Sequence, residues 1–393
     1  MTSEYKFSQL RLGIDAEALR SPMSGVGRYV YEFCAHIEKR LPAAQLFGYG
    51  RYPRAALRFP SERWIYRQET NPLRQKLPSF LWLKTFGRQL ARKDDLDVFW
   101  AGRTLTPGKG AARVLATTVH DLNHLVVPET MQASTRISHR LWFERDVAGA
   151  DCVYVNSAGT RDRLLRQLGI DADDIIRLGV TVPSEFQGYS ARGSQLSALQ
   201  ALGIVPPYLL TVSTLEPRKN VPALVDAFVA LKRSGRLPAP MQLVIAGAKG
   251  WIGSDAYRRI AALAPEGVTL PGYVPEALMG PLYANAELLV FPSRYEGFGI
   301  PVLEARAWGT PTVVTRVPEL IEAGENESIV VDFDASSIAD GIVRGLATGR
   351  HLRAADFYRR HAWERSGDRF IEALQVALER KQEAAGLVSG AAR

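Results

Sequence analysis

Three sets of residues have types and spacings that could do chemistry. In the first, Glu296 and Glu304 flank Gly297-Phe298-Gly299, directly after the apolar run ELLVFP (287–292). Pro301 then opens a helical pattern, at a first-turn position where a missing N–H costs nothing. Carboxylates beside such a loop accept from the hydroxyls of a polyhydroxylated ligand. Free amides from Gly297 through Ile300, Val302 and Leu303 suit phosphate oxygens. The plainer alternative is a capping glutamate and a structural turn. The second set is Arg218 and Lys219 in TLEPRKN (214–220), which leaves the end of the apolar run YLLTVS (208–213). Asn220 is expected to cap the helix that follows, with Pro222 in its first turn. Two cations beside the positive end of a helix suit a diphosphate, the arginine as a fork and the lysine as a point charge. An exposed basic turn is the alternative. The third set is Gly25 and Gly27 in SGVGRY (24–29), after the first apolar run. Two glycines at a helix start let a backbone approach an anion, although such a pair is as often only a tight turn.

Other chemistry is disfavoured. A dinucleotide fingerprint would want glycine at position 30, where Val30 stands, and no acidic residue closes a second strand at the right distance. An NAD site is therefore not expected. Asp95–Asp97 and Asp332–Asp334 have DxD spacing, but one pair enters a strand and the other follows one, so no metal site is assigned. Cys34 and Cys152 lie in apolar stretches and are expected as buried thiols in a reducing compartment. No zinc-finger spacing or RNA-binding aromatic signature occurs, so nucleic acid is not an expected partner.

The elements that position these residues alternate β-branched runs with helical patterns, as parallel α/β layers do. LRLGID (10–15), VLATTV (114–119), CVYVN (152–156), YLLTVS (208–213), QLVIAG (242–247), ELLVFP (287–292), TVVT (312–315) and IVVD (329–332) are the expected strands. Val30, Phe33, Cys34 and Ile37 recur at helical spacing, placing a helix from about Gly27. The chain has 393 residues, 46% apolar and 23% charged. That is globular composition, and at about 100–200 residues per domain it implies two domains. The polar stretch 183–198 is the expected linker. Two doubly wound, Rossmann-like domains would bind ligand in an interdomain cleft at the carboxyl ends of their strands. The first twenty residues hold no apolar h-region and no run approaches 18 apolar residues, so neither export nor a membrane span is expected.

The net charge of +8 is unevenly spread. Residues 1–200 carry 28 Lys+Arg against 20 Asp+Glu, whereas 201–393 carry 21 of each. Within 51–93 stand eleven basic residues and two acidic ones, interleaved with Phe59, Trp64, Tyr66, Phe80, Leu81, Trp82 and Phe86. Basic and aromatic character together fit an anionic membrane surface. The alternative is a domain core with a solvated basic shell.

Glu, seven residues, Glu around Gly-Phe-Gly resembles the signature of the retaining, family-4 type glycosyltransferases (group 1) with the GT-B fold. GIDA (13–16), SGVGRY (24–29), TVHDL (118–122), EPRKN (216–220), LPGYV (270–274) and Ala362-Trp363-Glu364 accompany it in the family's order. The resemblance covers essentially the whole chain. It implies an N-terminal acceptor-binding domain (1–190), a C-terminal nucleotide-sugar domain (200–364) and a last helix (about 365–385) packed back on the first. It also implies that Glu304 binds the nucleotide ribose and Glu296 the donor sugar. Gly297, Phe298 and Gly299 would meet sugar hydroxyls, Arg218 and Lys219 the diphosphate, Gly27 a phosphate, and His120 the reacting sugar. Val274 would lie near the base. The implied reaction moves a hexose or deoxyhexose from a nucleoside diphosphate, GDP-mannose or a related GDP-sugar being the leading donor. The resemblance to bacterial mannosyltransferases of surface polysaccharide assembly implies a saccharide acceptor on a lipid carrier, at the cytoplasmic face of the membrane. No cofactor or metal is expected, because Arg218 and Lys219 can offset the charge growing on the leaving diphosphate. No carboxylate nucleophile is evident, so a covalent intermediate is not expected. A nucleotide-sugar 2-epimerase or phosphorylase of the same architecture, and a non-catalytic sugar-nucleotide-binding protein, remain as alternatives.

Overall fold

A computed structural model describes Phe7, residues 9–182, Gly193, residues 195–350 and residues 357–391. Most of the expected linker lies outside these, and its last residues belong instead to a short helix, Leu196–Gln200. The chain forms two compact units. One holds residues 1–124, 132–179 and 363–393; the other holds 125–131 and 180–362.

The first unit is built on seven parallel strands: β1 (Arg11–Asp15), β2 (Gln45–Gly50), β3 (Trp64–Gln68), β4 (Leu96–Ala101), β5 (Ala112–Val119), β6 (Cys152–Val155) and β7 (Ile175–Arg177). Their order is β3-β2-β1-β4-β5-β6-β7. Leu12 of β1 pairs with Leu46 on one side and Val98 on the other, so the order reverses between β1 and β4. Crevices at such switch points lie beyond the carboxyl ends of the strands. The helix Gly25–Arg40 buries Val30, Phe33, Cys34 and Ile37 on the stripe their spacing implies. It starts two residues before the expected Gly27 because the Ser24 side chain caps it, accepting from the Gly27 amide at 3.2 Å. The long helix Trp363–Ala391 belongs to this unit: the Phe370 ring lies 4.8 Å from Trp100 and 4.5 Å from Tyr154.

Two aromatic residues of the basic window do not belong to an interfacial set. Trp64 and Trp82 are 2% and 1% exposed and belong to the core. Several of the cations are also committed: Arg51 to Glu17, Arg67 to Asp94 and Lys84 to Asp146. β3 itself runs through that window.

The second unit carries six parallel strands: β8 (Tyr208–Val212), β9 (Gln242–Ala246), β10 (Val268–Gly272), β11 (Leu288–Phe291), β12 (Thr312–Thr315) and β13 (Ile329–Val331). Their order, β10-β9-β8-β11-β12-β13, reverses between β8 and β11. The two loops bearing the strongest chemical signals, after β8 and after β11, therefore leave adjacent strands at the switch point. These are two Rossmann-like doubly wound sheets, as the alternating pattern predicts.

Candidate active site

In the second unit the loops after β8 and β11 meet in one ion cluster. Arg218 Nη1 lies 2.8 Å from one oxygen of Glu296, and Lys219 Nζ lies 2.6 Å from the other. Arg218 Nε also donates to Glu216 at 2.8 Å, and its Nη1 to the Tyr295 carbonyl at 3.2 Å. Two carboxylates and two cations are thus nearly dehydrated together. Burial alone would raise the Glu296 pKa, but the charges of Arg218 and Lys219 outweigh it and hold the carboxyl at about 2. Burial, with Arg218 beside it, pushes Lys219 below the ordinary lysine range despite the pull of Glu296. The family resemblance implies one site for these three residues, with Glu296 on the sugar and the cations on the diphosphate. Here the cations rest on Glu296 itself.

Asn220 departs from expectation. It adopts φ 55° and caps nothing with its side chain; Nδ2 donates instead to the Phe333 carbonyl at 2.8 Å. An asparagine tolerates this left-handed turn, which lets Arg218 and Lys219 sit in a 3₁₀ turn (Pro217–Lys219) immediately before the helix Val221–Arg233.

After β11 the chain turns at Gly299, whose φ of 107° only glycine adopts readily, and enters the helix Ile300–Ala307. The Gly299 carbonyl accepts from the amides of Val302, at 2.9 Å, and Leu303, at 3.4 Å. Those two amides are therefore not directed at a ligand, and both side chains are fully buried. Pro301 has no N–H, so the Ile300 amide is the donor left over in this first turn. Gly297 and Phe298 are buried in the same loop. Glu304 differs from the expected ribose ligand in being 0% exposed, its carboxylate accepting from the Tyr283 hydroxyl at 2.6 Å. Val274 also departs: its side chain is 4% exposed and packs in the core, while its neighbour Tyr273 is 60% exposed.

The remaining candidates are in the first unit. His120, after β5, has both ring nitrogens engaged. Nε2 donates to the Gly102 carbonyl at 2.7 Å, and Nδ1 accepts from Asn156 Nδ2 at 2.9 Å. Burial lowers its pKa, so the ring is a neutral imidazole whose tautomer these two partners assign. Such a histidine is a fixed dipole and not a free base. Tyr29 packs edge-on to it at 5.1 Å. Gly27 is no open phosphate loop, since its amide is taken by Ser24 and a Cβ there would lie 2.6 Å from the Ala18 carbonyl. Gly25 is the first residue of its helix and is exposed.

The family described as Glycosyltransferase Family 4 matches residues 23–180, and Glycosyl transferases group 1 matches residues 206–348. Between them these span most of both units. The chain belongs to the group 1, family-4 glycosyltransferases. The O-antigen chain mannosyltransferase B of Escherichia coli is 26% identical over 380 residues, covering 92% of this chain and 98% of that one. Among solved structures, WaaG, a glycosyltransferase involved in lipopolysaccharide biosynthesis, superposes with TM-score 0.65 at 17% identity, covering 96% of this chain and all of that one. Sucrose-phosphate synthase from Thermosynechococcus elongatus gives TM-score 0.65 at 19% identity, over 97% of this chain and all of that one. At these identities the two structures speak for the GT-B fold.

Within this glycosyltransferase, the DxD aspartates have other work. Asp97 accepts from the Arg11 amide, Asp332 pairs with Arg316, and Asp334 caps the helix Ala335–Thr348. Sequence reasoning gave no role to Glu216, Asn156 or Tyr283. The first two stand inside quoted stretches, EPRKN and CVYVN, where a polar residue ending a strand or opening a turn was the available signal. Nothing local marks Tyr283, which reaches Glu304 only through the tertiary fold.

Proposed function

We propose that this glycosyltransferase moves a mannosyl residue from GDP-mannose, with retention of anomeric configuration, to a lipid-linked saccharide in surface polysaccharide assembly. The observation that carries the mannosyl reading is the likeness, along nearly the full length of both chains, to a protein named an O-antigen chain mannosyltransferase. The ion cluster supplies the chemistry. Before donor binds, Glu296 holds Arg218 and Lys219 in place and neutralises them. An arriving diphosphate takes over the two cations, and Glu296 is released to accept from sugar hydroxyls. As the sugar–phosphate bond breaks, the growing negative charge meets cations that are already oriented, together with the Ile300 amide at a helix start. No metal is needed in this scheme.

A donor panel tests it. Nucleotide release should be fastest with GDP-mannose among GDP-mannose, GDP-fucose, UDP-glucose and UDP-galactose. The product should carry the donor's α configuration by NMR, and EDTA should leave the rate unchanged. Preference for a UDP-sugar would overturn the donor assignment. Loss of activity in EDTA with recovery in manganese would overturn the metal-free scheme.

A further inference from the structure

The second unit holds another ion cluster, built on a strained turn. The helix Pro318–Ala323 ends at Gly324, and the next two residues, Glu325 and Asn326, hold φ of 51° and 60°. Successive left-handed residues other than glycine persist only where their surroundings over-determine them. Here the surroundings are cations. The Glu325 carboxylate accepts from Arg306 Nη2 at 3.3 Å and Arg360 Nη2 at 2.8 Å. His361 Nε2 lies 3.2 Å from it and must donate, since an ionised carboxylate only accepts. Arg306 also reaches Glu327 at 2.6 Å, while its Nε is buried with no partner among the described residues. The hydrogen bond from His361 does most to hold the Glu325 carboxyl at about 2, so its charge is present throughout the neutral range.

This cluster bears on the loop after β11 by two routes. Arg306 stands in the last turn of the helix Ile300–Ala307, which Gly299 opens. At the first turn of that helix, the neighbouring helix Pro318–Ala323 packs on Gly299 itself. A Cβ at Gly299 would lie 2.5 Å from Leu320 Cδ2 and 3.6 Å from Ala323 Cβ. The Tyr358 hydroxyl donates to the Ala307 carbonyl at 3.2 Å, so the segment bearing Arg360 and His361 also closes the far end of the helix. The helix that presents the Ile300 amide is thus gripped at its first and last turns, and both grips are fastened at Glu325. We propose that Glu325 is a positioning residue for the nucleotide-sugar donor: by tying Arg306, Arg360 and His361 to one turn, it fixes how the Gly297–Ile300 loop meets the diphosphate. The inference rests on the donor reading above and adds to it a residue that acts through the helix without touching the ligand.

Three substitutions in the full chain separate charge from backbone. Glu325→Gln keeps the shape and removes the charge. Glu325→Gly relaxes the left-handed turn and removes the carboxylate. Glu325→Asp keeps a charge on a residue that tolerates positive φ. Two measurements read them: calorimetric titration with GDP, and hydrogen exchange of the Val302 and Leu303 amides without nucleotide. Glu325→Gln and Glu325→Gly should each weaken GDP about ten-fold and speed exchange at those two amides, with β12 and β13 unchanged. Glu325→Asp should recover most of both. A Glu325→Gly chain with the GDP affinity of wild type would make the residue a turn former only and overturn the proposal. So would lowered melting with unaltered affinity and exchange in the folded chain. If neither the Gln nor the Gly variant folds, Arg360→Gln removes one donor from a part-exposed position. It should weaken GDP about three-fold, and unchanged affinity there overturns the proposal too. The two readings fail separately. Faster exchange at Val302 and Leu303 in a protein whose wild type binds no nucleoside diphosphate preserves the clasp and removes the donor reading. Tight GDP binding with identical exchange and affinity in all variants does the reverse.

Discussion

Glu296 concentrates the chemistry of the second unit, and its ionisation is coupled to folding. Its ordinary pKa of 4.5 falls to about 2 in the folded chain. A depressed carboxyl contributes stability that is present above 4.5 and is lost as pH falls from there toward 2, here on the order of 3 kcal/mol. Glu296→Gln keeps the shape and removes the charge, leaving two buried cations without their partner. A loss of about 3–5 kcal/mol is expected at neutral pH. The urea midpoint of the variant should also show less acid sensitivity than wild type in that window; parallel pH profiles would contradict the assignment. Arg218→Ala and Lys219→Ala each remove a charge-assisted contact to phosphate, about 1.5–3 kcal/mol, or ten- to a hundred-fold in kcat/KM for the donor. At His120 the sign differs. Asn156 donates to Nδ1 and so favours the neutral ring. Burial is the main cause that lowers the imidazole pKa, and Asn156→Ala, by removing the donor to Nδ1, should let it rise and so displace the pH–rate profile. A uniform drop in rate with an unaltered profile would mean that Asn156 is only structural.

The elements explain why some of this was legible in the sequence and some was not. Eight expected strands all form, because β-branched, apolar runs, most of them buried on both faces, leave a strong local signal. β2 was not foreseen: QLFGYG contains two glycines and reads locally as a turn, yet parallel pairing with β1 and β3 makes it a strand. β3 was hidden by its arginine and glutamine, and the rings around it were assigned to a membrane surface because composition carries no information about facing. Arg218, Lys219 and Glu296 were legible as candidates at two strand ends, but their pairing with one another was not; Asn156 on His120 and Tyr283 on Glu304 are likewise contacts that only the tertiary fold makes. The helix Trp363–Ala391 is equally non-local. Phe370 is 0% exposed and contacts Phe33, Trp100 and Tyr154, which come from three other elements of the first unit. Phe370→Ala should therefore cost about 3–5 kcal/mol. The loss should appear as a lowered melting transition of the first unit, with GDP binding by the second unit retained below it. A variant that melts like wild type would mean that this helix contributes little to the core.

At the scale of the molecule the asymmetry of charge remains, since the whole excess of +8 lies before residue 201. The structure moves the place where that excess could meet a membrane. Trp64 and Trp82 are core, but Leu73, Ile137 and Leu141 are 77%, 53% and 58% exposed, and Leu81 is 37% exposed. The Phe80 ring lies 5.0 Å from Trp142, which brings the segment bearing Leu81 beside the helix Ala133–Ala148 that carries Ile137 and Leu141. Arg136 and Arg140 are exposed on that helix, and Arg74 is exposed beside Leu73. Apolar side chains among cations suit shallow insertion into an anionic leaflet, where each cation near the surface contributes about 1 kcal/mol. Among the described residues no helix is long and apolar enough to cross a membrane, so any attachment by these helices is to the surface. Cosedimentation should show binding to vesicles with anionic lipid that falls as salt rises. Arg136→Glu with Arg140→Glu should reduce it at least ten-fold, because two attractions of about 1 kcal/mol each become repulsions. Ile137→Ser with Leu141→Ser should weaken binding while leaving its salt dependence, since it removes insertion and keeps the charge. Neutralising Arg92 and Lys93, exposed at the end of another helix, should matter less if the 133–148 helix is the contact. Equal binding to neutral vesicles, or none to either kind, would place the acceptor in solution and leave the basic half as a solvated shell.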